Sequence, residues 1–89
     1  MIHQDFVAPK NDWLKVSSGN TFVAVQLKST GMILIRLAQG PASAAPADTS
    51  QGTLITDGGN FSVGGLPLDT DCWICSKRDE NETVNVLAY

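Results

Sequence analysis

Charge is scarce in this chain. Only 17% of its residues are charged, below the usual share of about 25%, and the net charge is −3. The basic residues Lys10, Lys15, Lys28, Arg36, Lys77 and Arg78 are scattered, with one adjacent pair. A phosphate backbone needs concentrated Lys and Arg, so nucleic acid is not an expected partner. No apolar run reaches the roughly 18 residues of a membrane helix, so no membrane partner is expected either. No apolar export segment follows Met1, and the expectation is a complete product made and kept in a cytoplasm.

Chemistry-bearing residues are equally thin. The single histidine, His3, has no nucleophile placed near it, so a catalytic triad is not supported. Two cysteines are too few for a disulfide framework. Cys72-Trp-Ile-Cys75 has the spacing of a redox or zinc half-site. A redox cysteine wants a helix N-terminus, whereas this context reads as a strand, where positions i and i+3 point to opposite faces. Zinc needs four ligands, and His3 is almost the only other one offered. The two thiols therefore read as small buried hydrophobes. Asp57, Asp69 and Asp71 match no calcium loop and read as turn residues. Asn81-Glu82-Thr83 matches a glycosylation acceptor but lacks a secretion signal. No catalytic residue, cofactor or metal is expected, and the chain does not read as an enzyme.

What is present is strand. The stretch from Phe22 to Ala38 organises the chain. Phe22-Val23-Ala24-Val25-Gln26-Leu27 and Met32-Ile33-Leu34-Ile35-Arg36-Leu37-Ala38 flank Lys28-Ser29-Thr30-Gly31, where Gly31 can supply a positive φ. This predicts a β-hairpin. Val23, Val25 and Leu27 share one face, opposite Phe22 and Ala24. Ile33, Ile35 and Leu37 oppose Met32, Leu34 and Ala38. A strand apolar on both faces must be covered on both. In a hairpin of this spacing Gln26 and Arg36 would lie near one another, and both are expected at an edge or interface.

Further strands are predicted over Trp13–Val16, Thr53–Thr56, Phe61–Val63, Cys72–Lys77 and Thr83–Tyr89. Asp57-Gly58-Gly59-Asn60 signals a second hairpin. Residues 1–12 show no period and read as an N-terminal arm, with Phe6 as an anchor and Val7 beside it. The stretch 39–52, rich in Pro, Ala and Ser, reads as a long loop. Pro41 and Pro46 favour an extended path on the order of 45 Å, enough to touch a neighbour. The predicted fold is all-β: one small antiparallel β-sandwich or jelly-roll-like barrel of about seven strands over 13–89, with the arm in front. Trp13, Phe22, Phe61, Trp73 and Tyr89 are the expected large core pieces. An apolar excess over what so short a chain can cover points to self-association or packing on a larger protein. The expected interface residues are Phe6, Val7, Gln26, Arg36, Pro41 and Pro46.

In texture and length the chain resembles the small all-β decoration, or cement, proteins on tailed-bacteriophage capsids. The likeness is carried by Gly19-Asn20-Thr21-Phe22-Val23-Ala24-Val25-Gln26, the Ser/Ala/Pro loop 41–50, Gly52-Thr53-Leu54, Phe61-Ser62-Val63 and Trp73-Ile74-Cys75-Ser76. These span most of the chain from Gly19 onward, and no binding residue carries over with them. The resemblance implies a sandwich or jelly-roll fold, a homo-oligomer (a trimer favoured), the major capsid protein as partner, and a place on the virion exterior. Two other readings stand beside it. One is a small tail or fibre-associated carbohydrate- or receptor-binding module, with Trp13 or Trp73 exposed as a sugar-stacking platform. The other, ranked last, is a redox protein using Cys72 and Cys75.

Overall fold

Alternation sets the faces of the strands. In Glu82–Ala88 the residues Glu82, Val84, Val86 and Ala88 are buried, while Thr83, Asn85 and Leu87 point outward. Val23, Val25 and Leu27 likewise turn inward, with Gln26 exposed between them. The computed structural model describes residues 1–10, 12–28, 31–39, 52–56, 58–77 and 81–89. They form β1 (Ile2–Ala8), β2 (Leu14–Ser18), β3 (Val23–Leu27), β4 (Met32–Gln39), β5 (Thr53–Thr56), β6 (Asn60–Val63), β7 (Thr70–Ser76) and β8 (Glu82–Ala88). These eight strands make two four-stranded sheets, ordered β1-β8-β3-β6 and β2-β7-β4-β5, with every pair antiparallel.

The pairing has a simple rule. The first strand pairs with the last, the second with the second-last, and so on inward to β4 with β5. A long antiparallel ribbon, turned back at β4–β5 and then rolled so that β8 meets β3 and β7 meets β4, produces this order. It is jelly-roll topology, within the predicted fold class. Between the sheets lies an aliphatic core that includes Val16, Val23, Val25, Leu27, Ile33, Ile35, Ile74, Val84 and Val86. Each such side chain contributes roughly 1.5–3 kcal/mol by leaving water.

Three expectations are corrected. The N-terminal segment is not an arm. Residues 2–8 are β1, one strand beyond the seven expected, in register with β8 from Ile2 opposite Ala88 to Ala8 opposite Glu82. Gln4 at an inward position and Val7 at an outward one break the apolar alternation, which hides the strand. Past it, the Pro9 carbonyl accepts from the Ser76 amide at 2.9 Å, and Lys10 bridges to Ser76. The chain thus passes from the edge of one sheet to the edge of the other and seals that side of the sandwich.

The two predicted hairpins are also corrected. β3 and β4 lie in different sheets, and so do β5 and β6. Packed sheets are about 10 Å apart, and four extended residues reach roughly 13 Å, so the same turn chemistry can carry a chain across the sandwich. Gly31 is used for room, not for a positive φ. A Cβ there would run into the buried carboxylate of Glu82, and Gly31 is absent from the positive-φ glycines, which include Gly19 and Gly58.

The third correction concerns one of the large core pieces, Tyr89, while Trp13 and Trp73 are buried as expected, though not between the sheets. Trp13 and Trp73 join Leu34 and Cys75 in a second buried cluster, with Ala38 against it. Trp73, Leu34 and Ala38 alternate with the inward Cys72, Ile74, Ile33, Ile35 and Leu37, so this cluster coats the outer face of the second sheet. The cover that β4 and β7 demand on their second face is thus found within one chain. Tyr89, at 58% exposure, is not a core residue.

Candidate binding face

The outer face of the first sheet is finished quite differently. Strand register lines its outward side chains into rows across the sheet. In one row His3 stands opposite Leu87, Leu87 opposite Ala24, and Ala24 opposite Ser62. In the next, Asp5 stands opposite Asn85, Asn85 opposite Gln26, and Gln26 opposite Asn60. The second row is polar on all four strands. Together the rows border a shallow concavity of about 330 Å³, with Phe61 at its β6 margin.

The polar row is partly fixed. Asn85 Nδ2 donates to Asp5 Oδ1 at 3.0 Å, and Lys28 Nζ donates to Asp5 Oδ2 at 2.9 Å. An ionised carboxylate only accepts, so the bond dictates which way the Asn85 amide faces. The same contacts, Asn85 first and Lys28 second, hold the Asp5 carboxyl below its ordinary 3.8. One row beyond Leu87 and Ala24 comes an aromatic pair. Phe22 and Tyr89 exchange backbone hydrogen bonds at 3.0 and 3.1 Å, and their rings stack with centroids 4.8 Å apart and planes 18° from parallel.

The outer face of the second sheet carries its own polar fringe. Trp73 lies between Lys15 on β2 and Arg36 on β4 in strand register. Lys15 Nζ stands 5.5 Å from the Trp73 ring centroid, within cation–π range, and 3.7 Å from Asp71 Oδ2. The indole Nε1 of Trp73 is buried without a hydrogen-bond partner among the described residues. Cys72 and Cys75 form no disulfide and lie on opposite faces of β7, one in each cluster, as their spacing on a strand requires. Burial pushes the Cys72 thiol up to about 12, which keeps it protonated and unreactive at neutral pH.

The expected interface residues do not form one surface. Phe6 faces inward and packs on the core. Val7 is exposed on edge strand β1. Gln26 is in the polar row on the first sheet, and half-buried Arg36 is on the outside of the second. The expected proximity of Gln26 and Arg36 is therefore corrected: two sheets separate them. Pro41 and Pro46 lie outside the described residues. The tryptophan sugar platform is corrected too, because Trp13 and Trp73 are each only 8% exposed. The polar row and the Phe22–Tyr89 stack were missed, since both exist only once register is known. No family model, curated protein or solved structure matches this chain.

Proposed function

We propose that this chain is a non-enzymatic virion protein that decorates the exterior of a phage capsid and bridges neighbouring capsid subunits as a homo-oligomer. The observation that carries this reading is the contrast between the two lateral sides of the sandwich. Edge strands present unpaired backbone groups, and soluble proteins guard them with charge, bulges or cover. β1 carries the ion-paired Asp5, and β2 carries Lys15 and a register shift between Lys15 and Ser17. β1 packs against β2 and β7, which puts β5 and β6 together on the other side. Those strands read Thr-Leu-Ile-Thr and Asn-Phe-Ser-Val, without charge, proline or irregular register. Leu54 on β5 is 54% exposed, and Met32 on the neighbouring β4 is also exposed. Among the described residues nothing guards this apolar edge, and such an edge suits permanent occupation by a partner. Weak contacts of this kind repeated over a lattice give avidity, and binding only the assembled shell stabilises it by mass action.

The test is co-sedimentation with heads of the encoding phage, with mass in solution by ultracentrifugation. The wild-type protein is expected to pellet with heads and to exceed monomer mass. Leu54→Lys should remain folded and stay in the supernatant. A stable wild-type monomer that ignores heads overturns the reading.

A further inference from the structure

We infer that the outer face of the first sheet is a binding site for a neutral oligosaccharide. The argument begins with what the concavity lacks. Among the described residues, His3 is the only titratable side chain lining it. Asp5, at its border, already holds Asn85 and Lys28. An anionic ligand would want free cations there, and a cationic one a free carboxylate. A wholly apolar ligand would strip water from Gln26, Asn60 and Asn85 and return no hydrogen bond, which is costly.

A hydroxyl both donates and accepts, and so does a carboxamide. The carboxamides of Asn85, Gln26 and Asn60 stand at strand spacing across two intervals, roughly 10 Å in all, longer than one sugar ring. With its Nδ2 committed to Asp5, Asn85 presents an oriented carbonyl before any ligand arrives. Such pre-organisation lowers the entropy cost of binding. Beside the polar row lie Leu87 and Ala24, and beyond them the Phe22–Tyr89 stack, with Tyr89 58% exposed. Apolar surface next to polar groups is what a sugar presents, with its C–H faces and its ring of hydroxyls. A site that is mostly apolar with a few placed polar groups is the usual form of a ligand pocket, and 330 Å³ falls at the small end of the usual roughly 300–1,000 Å³. The site shares β6 with the proposed partner edge but not β5, where Leu54 stands, and it does not depend on the capsid reading.

The test is a printed array of neutral gluco-, manno-, galacto- and N-acetylglucosamine oligosaccharides, with sialylated and sulfated glycans as charged comparators. The best binder is then titrated by NMR to about 10 mM, following the side-chain amides of Gln26, Asn60 and Asn85. Neutral oligosaccharides are expected to bind and to move those amides. Gln26→Ala and Asn60→Ala, both at exposed positions, should each weaken binding about fivefold, and Tyr89→Ala at least as much. Leu54→Lys should leave it unchanged. Failure of every neutral oligosaccharide to bind overturns the proposal, as does binding confined to the charged comparators, or affinity that the three variants leave intact.

Discussion

Across the outside of the first sheet the side chains run Asp5, Asn85, Gln26, Asn60; across the second they run Cys75, Leu34, Leu54, with Trp13 and Trp73 alongside. Both sheets lean on the same aliphatic core, yet only the second is apolar on its far side as well. The difference follows from composition strand by strand. β8 alternates, so one face is enough to satisfy it, and the other is free to carry amides. β7 is buried at all seven positions and β4 at three consecutive ones, so the second sheet must be roofed. A single small domain thus keeps stability on one outer surface and leaves the other open for recognition.

The comparison breaks most visibly under truncation. Trp73→Ala on the second sheet removes a side chain buried at 8% exposure and should cost about 3–5 kcal/mol in urea unfolding, a large share of the stability of any small domain. Trp73→Phe should cost much less, since it also removes an indole N–H that is buried without a partner among the described residues. On the first sheet, Gln26→Ala, at an exposed position, should stay within about 0.5 kcal/mol of wild type. Equal losses for Trp73→Ala and Gln26→Ala would erase the distinction between the two faces.

The interior beneath the second sheet answers to alkali. Cys72 titrates at about 12 in the folded chain against an ordinary 9.0, because burial disfavours its thiolate. The folded pKa is the higher one, so the native state binds more protons between the two values. Its contribution is fully present below pH 9.0 and is lost progressively as pH rises toward 12. The slope in that window is at most about 1.4 kcal/mol per pH unit for one group. Urea midpoints measured from pH 8 to 10.5 should fall, and Cys72→Ala should flatten the fall. Native-state alkylation of either cysteine at neutral pH should wait for unfolding.

How far the sequence revealed this arrangement depends on the range of the interaction. Strand positions and faces were legible from local pattern: Val23, Val25 and Leu27 are inward, and the doubly apolar character of Ile33–Leu37 and Cys72–Ile74 reports a sheet covered twice. Pairing was not legible. Turn chemistry at Lys28–Gly31 and Asp57–Asn60 suggests neighbours in one sheet, but in a jelly roll the only sequential pair is β4–β5. β1 needs β8, at the far end of the chain, before its broken alternation makes sense. The polar row was illegible for the same reason: Asp5, Gln26, Asn60 and Asn85 are unremarkable alone and become a surface only through register.

The finest effect is expected at that row's end. Asp5 is held below its ordinary 3.8 by the Asn85 amide first and by Lys28 second. Its folded pKa is the lower one, so its small contribution is present above the unfolded value and is lost as pH falls through the folded one. An exposed pair also weakens with salt. The informative readout is the orientation of Asn85. Its side-chain amide resonances should shift in acid with a midpoint below the ordinary 3.8, as Asp5 gains a proton and stops being a pure acceptor. Lys28→Ala should move that transition upward, toward the ordinary carboxylate value, without abolishing it, because Asn85 is the larger cause. Asn85 resonances indifferent to pH would mean that Asp5 does not orient the amide, and the face would then meet its ligand unprepared.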